Sequence, residues 1–152
     1  MSLTTFGEKL ELRSEVEIDV EPARVWLTLI DFARHDQWNP FWSNIKGQAK
    51  KGSRVSYGLT PPGGSTLRVS RQVDDCEDEH VLRWSGGYGW GVLLRSEQTF
   101  RLDQVNEHRT RVIVAENLRG PGVTGAQSVS VHIARGQALM NQALKRRVET
   151  AR

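Results

Sequence analysis

The sequence predicts an α+β fold, a curved antiparallel sheet closed over by one long helix near the C-terminal end. Three observations predict it. Short segments with an apolar residue at every second position follow one another from Leu10 to Leu118, as half-buried strands do. The connections between them are short and rich in Gly, Pro, Asp and Asn, which makes sequential strands antiparallel neighbours. The period then changes: Val129, Ile133, Met140, Leu144 and Val148 recur at helical spacing, with Ala126 and Gln137 on the same stripe. A single amphipathic helix after a run of strands buries its apolar stripe by lying across the concave face of the sheet.

The first strand is Leu10 to Val20, where Leu10, Leu12, Val16, Ile18 and Val20 alternate with Glu11, Arg13, Glu15, Glu17 and Asp19. Glu21-Pro22 opens a short helix to about Asp31, because proline suits the first helical position, and Val25, Trp26, Leu29 and Ile30 form its apolar side. Phe32 to Trp42 is the densest aromatic stretch, and Pro40 limits it to a helical turn and a loop. Ile45 to Lys50 is a weak strand. Val55, Tyr57 and Leu59 alternate, Pro61 to Gly64 is a loop, and Leu67, Val69, Arg71 and Val73 alternate next. Asp74 to Glu79 reads as a polar turn, with His80, Leu82 and Trp84 on one face after it. Gly86 to Gly91 reads as a flexible connection around Tyr88 and Trp90. Leu94, Ser96, Gln98, Phe100 and Leu102 share a face, and Val112, Val114, Glu116 and Leu118 close a series of about seven strands. Pro121-Gly122 breaks the chain before the helix, Val123 to Val148, whose last turns carry Lys145, Arg146 and Arg147, where the helix dipole favours cations.

At 152 residues the chain is read as one domain, residues 1–152, large enough to bury a core. A single cysteine, Cys76, allows no internal disulfide and points to a reducing, cytoplasmic setting. The N-terminal MSLTTFGEKLEL has no apolar run of signal or membrane-span length. The net charge of +3 is spread rather than gathered in a stripe, so no nucleic-acid partner and no integral membrane association are expected. His35, His80, His108 and His132 show no ligand spacing with one another or with Cys76, so no metal is expected, and no phosphate-binding loop or other cofactor motif occurs. The five tryptophans exceed what a minimal core needs.

The order of elements and several local motifs resemble the START/SRPBCC superfamily, and within it the polyketide cyclase/dehydrase-like proteins. The residues that carry the resemblance are Pro22, Val25 and Trp26, Asp31-Phe32, Trp38 with Pro40, Leu82-Arg83-Trp84 with Gly86, Phe100 with Leu102, and Thr110-Arg111-Val112 with Glu116 and Gly120. The resemblance spans nearly the whole chain. It implies a helix-grip fold, a seven-stranded sheet around the C-terminal helix with an elongated cavity between them, and a small hydrophobic ligand that is aromatic, polyketide-like or lipid-like. Many relatives carry a histidine where Gln98 stands, and glutamine cannot exchange protons near neutral pH.

Polar groups on apolar faces are the sharpest anomaly, since burying them is costly without partners. Glu116 and Gln98 are read as facing a cavity. Arg71 is read instead as a surface position, a strand irregularity or an internal partner of Glu116. Trp38, Phe41, Trp42, Trp84 and Tyr88, with Tyr57, Phe100, Ile133 and Met140, are the expected apolar lining, Trp42 and Tyr88 at its rim. The loops at Pro61–Ser65 and Gly86–Gly91 are candidate lids. Three functions compete: a binder of a small hydrophobic ligand, a cyclase or dehydratase with Glu116 as acid–base and Gln98 or Tyr57 orienting a carbonyl, and a protein-interaction or chaperone-regulating module. The charged outer faces of the strands argue against the third.

Overall fold

A computed structural model describes residues 2–6, 9–88, 94–121 and 123–151, with side chains except at 2–6 and 124–129. Trp90, Gly89, Gly91 and the side chains of Ala126 and Val129 therefore lie outside the described residues. The elements are β1 (Ser2–Phe6), β2 (Lys9–Ile18), α1 (Pro22–Ile30), a 3-10 turn (Phe32–Gln37), β3 (Trp42–Lys46), β4 (Arg54–Leu59), β5 (Leu67–Glu77), β6 (Val81–Gly87), β7 (Arg95–Asn106), β8 (Arg109–Arg119) and α2 (Val123–Thr150). The strands form one antiparallel sheet of order β1-β2-β8-β7-β6-β5-β4-β3. Seven are the strands marked by alternation, and β1 adds an edge strand, with Ser2 opposite Arg13 and Phe6 opposite Lys9. This is the helix-grip arrangement, with the short helices inserted after β2.

Three local expectations change. The polar stretch after Val73 is mostly strand, since β5 continues to Glu77 past a bulge between Val73 and Asp75. Its polar residues keep solvent access while their backbone pairs with β6, so polarity alone misread them. The turn contracts to Asp78–His80, with Glu79 at a φ of 66°, and His80 is exposed there rather than sharing the buried face of Leu82 and Trp84. Likewise Gly86 and Gly87 belong to β6 rather than to a flexible connection. Gly86 suits a tight crossing: a Cβ there would lie 2.1 Å from the Ser70 carbonyl oxygen. The strand at Ile45 is short because Asn44, at a φ of 50°, sits in an irregularity between Ser43 and Lys46.

The apolar stripe of α2 packs on the concave face through Ile133, Ala134, Met140, Leu144 and Val148, all buried. Gly136 lets the helix approach closely, since a Cβ there would meet the Phe41 ring at 2.2 Å. The C-terminal turns are tied down by Arg24 Nη2 donating to the Ala151 carbonyl (3.1 Å) and Lys145 Nζ donating to the Glu17 carbonyl (2.9 Å). The large exposed apolar side chains, Leu27, Leu67, Val105 and Leu139, are divided among four elements. No described helix is long and apolar enough to cross a membrane.

Candidate ligand site under the C-terminal helix

Antiparallel register lines up one row of side chains across the concave face. Leu12 on β2 is opposite Glu116 on β8, Glu116 is opposite Gln98 on β7, Gln98 is opposite Trp84 on β6, and Trp84 is opposite Val73 on β5. Arg71 stands two residues before Val73 on the same face, and Tyr57 lies diagonal to it on β4. Strand alternation thus carries polar and aromatic groups together beneath α2.

Two buried polar networks result. In the first, Arg71 Nε donates to the Tyr57 hydroxyl (3.2 Å), and its Nη2 donates to the Tyr88 hydroxyl (3.0 Å) and to Glu116 Oε2 (3.3 Å). The Tyr88 and Ser96 hydroxyls also donate to Glu116 Oε2. The Arg71 guanidinium lies 5.0 Å from the Tyr88 ring centroid, a cation–π contact. The ion pair is therefore supported by further hydrogen bonds, as a buried pair must be. Its Nη1 alone has no protein partner. Burial pushes the Tyr88 phenol well above the usual tyrosine range and the Glu116 charge adds to this, while Arg71 opposes it. Burial also raises Tyr57, against the field of Arg71. Burial alone would lower the Arg71 guanidinium, but Tyr57, Tyr88 and Glu116 outweigh it, so it stays charged. Both phenols hold their protons at neutral pH.

The second network is a chain of amides. Trp84 Nε1 donates to Gln98 Oε1 (2.8 Å), Gln98 Nε2 to Gln137 Oε1 (3.3 Å), Gln137 Nε2 to Asn141 Oδ1 (3.0 Å) and Asn141 Nδ2 to Ser14 Oγ (3.0 Å). It runs from β6 through β7 to α2 and back to β2. Gln137 and Asn141 are four residues apart, so one helix face presents both.

The elongated cavity implied by the resemblance is filled among the described residues. Trp42, Tyr57, Trp84 and Phe100 form one aromatic cluster, with ring centroids between 4.7 Å and 5.8 Å apart. Phe32 joins at 6.1 Å from Trp84. What remains under α2 is a cavity of about 10 Å³, lined by Ser14, Gln98, Val114, Glu116, Ile133 and Gln137 among others. That is room for about one water, against the several hundred Å³ typical of ligand pockets.

The order of elements, the register and the long gripping helix are matched by comparison with known proteins. The family model described as polyketide cyclase / dehydrase and lipid transport matches residues 9–151. The chain belongs to that family. Solved structures agree on the fold. A Rhodobacter sphaeroides protein is 20% identical, with 99% of each chain covered and a TM-score of 0.74. The Zhui aromatase/cyclase from Streptomyces sp. R1128 is 12% identical, with 93% of this chain and 94% of that one covered and a TM-score of 0.73. A START superfamily protein from Mycobacterium smegmatis is 18% identical, with 93% and 99% covered and a TM-score of 0.68. No curated protein matches the chain by sequence.

In this cyclase and lipid-transport family member, Glu116, Gln98 and Ile133 reach the small cavity. Tyr57, Trp84, Phe100 and Met140, expected in the lining, are buried in the core and are not among the residues that line it. Trp42 and Tyr88, expected at a rim, are only 2% and 5% exposed: Trp42 is stacked into the aromatic cluster and Tyr88 is hydrogen-bonded to Arg71 and Glu116. Loop proximity misled here, because β3 begins at Trp42 itself and Tyr88 bridges Val69 beyond β6. Trp38 is half-buried against His35, and Phe41 packs on Gly136, both away from the cavity lining. The Pro61–Gly64 loop lies beside Phe41 and Leu139 over a separate surface groove. Arg71 is the internal partner of Glu116. The groups not singled out from sequence as site residues are Ser14, Ser96, Gln137, Asn141 and His35. His35 is buried, with Nε2 donating to the Leu29 carbonyl (2.7 Å) and Nδ1 accepting from Asn39 Nδ2 (3.0 Å). Asn39 Oδ1 in turn accepts from the Phe41 and Trp42 backbone N–H groups. The His35/Asn39 spacing of four was the available signal. Among the described residues, no cluster of His, Cys, Asp or Glu has the makings of a metal site.

Proposed function

We propose that this protein binds a small hydrophobic ligand, aromatic, polyketide-like or lipid-like and bearing at least one polar group, between the sheet and α2. The observation that carries this reading is the convergence of Glu116, Gln98, Gln137 and Ser14 on one cavity walled otherwise by Leu12, Val114, Ile133 and Ala134 and bordered by the exposed Arg13. A few placed polar groups in an apolar surround are how a pocket fixes a ligand's orientation. Family membership supports it. The 10 Å³ present is a closed state, so binding requires α2 or the aromatic cluster to move. The test is native mass spectrometry of freshly purified protein, with solvent extraction of bound material. A stoichiometric small molecule that rebinds after extraction is expected. A bare mass, with no shift in melting temperature across a panel of aromatic and lipid compounds, refutes the reading.

A second reading, a cyclase- or dehydratase-type enzyme, is favoured by the direct contact of Glu116 with another titratable group, Tyr88. Glu116 would then move a proton on a polyketide-like substrate while the pocket holds it in shape. Glu116→Gln should abolish turnover while leaving product binding measurable, and a variant that turns over normally excludes this reading.

A further inference from the structure

The polarity of the amide chain is fixed by one atom. An indole N–H only donates, so Trp84 forces Gln98 to present Oε1 to it. Gln98 must then offer Nε2 to Gln137, Gln137 its Nε2 to Asn141, and Asn141 its Nδ2 to Ser14. The side-chain amides therefore spend their N–H groups on one another. Gln137 Nε2 also reaches Met140 Sδ at 3.7 Å, which occupies its second hydrogen. Gln98 Oε1 and Gln137 Oε1 each keep a spare lone pair, and Glu116 is an acceptor for three donors already. The cavity lined by these groups is rich in acceptors, and its uncommitted donors are few, the Ser14 hydroxyl and one hydrogen of Gln98 Nε2. Arg13 also borders it, but Arg13 is exposed and stands between the buried Leu12 and Ser14, so strand alternation puts its side chain on the outer face. Arg71 is not part of the lining; its charge is paired with Glu116, its Nε and Nη2 are bound to Tyr57, Tyr88 and Glu116, and Nη1 is the one guanidinium nitrogen without a protein partner.

We propose that this cavity selects a neutral hydrogen-bond donor, an alcohol or phenol hydroxyl on the hydrophobic ligand, and discriminates against carboxylates. This inference rests on the ligand-binding reading above. A hydroxyl placed here donates to the Glu116 carboxylate or to the carbonyl oxygens the amide chain leaves open. A carboxylate would face unshared carbonyl lone pairs and a Glu116 carboxylate whose charge Arg71 already pairs, so its own charge would be left uncompensated in a low-dielectric space.

The test is calorimetric titration of the purified full chain at neutral pH with three probes of one ring system: β-naphthol, its methyl ether and β-naphthoate. The naphthol should bind roughly 10-fold or more tightly than either of the others, the margin expected when one hydrogen bond to a charged acceptor is made or lost. Glu116→Gln should narrow that margin by weakening the naphthol and strengthening the naphthoate. Trp84→Phe, which frees Gln98 to turn its amide, should strengthen the methyl ether relative to the naphthol. Equal affinities, or naphthoate binding tightest, overturn the donor selection while leaving a ligand site in place. No binding by any probe, with nothing extracted from the native protein, removes the ligand-binding reading and this inference with it.

Discussion

His35 makes the fold sensitive to acid in a way that can be isolated. Its ring is buried among Phe32, Trp38 and Trp42, and both ring nitrogens are used in the neutral form, Nε2 as donor and Nδ1 as acceptor. Burial lowers its pKa from 6.5 to about 4, against the smaller raising effects of the Leu29 carbonyl, Asp31 and Asp36. The unfolded chain takes up the proton first as pH falls. The His35 contribution is thus complete above pH 6.5, shrinks between 6.5 and about 4, and is constant below. The separation of about 2.5, at about 1.4 kcal/mol for each tenfold in proton affinity, corresponds to about 3 kcal/mol. The assay is urea unfolding followed by tryptophan fluorescence, for wild type and His35→Gln, at steps across that range. The carboxylates titrate in both proteins and cancel in the difference. The advantage of wild type over the variant should fall by about 3 kcal/mol between neutral pH and pH 4. A difference that stays flat with pH would refute the account of a buried neutral imidazole.

Other outcomes follow from the same geometry. Gly136→Ala should destabilise by about 1–3 kcal/mol by thermal or urea melting, although alanine is the better helix former by about 1 kcal/mol, because the new Cβ meets a buried Phe41 ring. Adding Phe41→Leu should recover part of the loss. Arg71→Met should cost about 3–5 kcal/mol, since it leaves Glu116 buried without its cation, and the Arg71→Met/Glu116→Leu double variant should cost clearly less than the sum of the single changes. Burial pushes the Cys76 thiol up, and Asp78 and Asp75 add to this, so a thiol reagent at neutral pH should label the folded protein more slowly than the urea-unfolded chain.

Period-two and period-3.6 patterns made the sheet and α2 legible because those periods are set by backbone geometry, which side-chain detail does not alter. Leu10 to Ile18 and Leu94 to Leu102 are cases where every second residue is buried as the alternation requires. The pattern failed where backbone pairing was decoupled from burial. Asp74 to Glu77 are strand residues with partial solvent access, and β1 is an edge strand with no alternation to announce it. The candidate site was legible as a set of faces. Glu116, Gln98 and Arg71 were each marked by standing on an apolar face, and the structure joins the first two across one register row. What alternation does not encode is volume. It places Trp42, Tyr57, Trp84 and Phe100 on the inner surface but says nothing of how far four rings extend into the space between, and they nearly close it.

That closure, set against the ligand-binding reading, points to where the molecule must open. Among the described side chains, the ties that hold α2 to the rest of the fold include Gly136 against Phe41, Asn141 to Ser14, Lys145 to Glu17, Arg147 to Gln37, and Arg24 to the Ala151 carbonyl. The cavity lies at the other end of this series, beside Ile133, Ala134 and Gln137. Of the two sheet-to-helix hydrogen bonds in the amide chain, Gln98 to Gln137 is the longer, at 3.3 Å against 3.0 Å for Asn141 to Ser14. Displacing the α2 turn that ends at Ala134 widens the cavity directly, whereas moving the turns from Asn141 onward would break the whole series. An apparent affinity is reduced by the fraction of time the open form is absent, so the cheaper opening is the one a ligand exploits. Amide hydrogen exchange should therefore be faster in the α2 turn ending at Ala134 than in the turns from Asn141 to Val148, and a bound ligand should slow it there selectively. Uniform protection along α2, unchanged by ligand, would show that access runs through the aromatic cluster of the sheet instead.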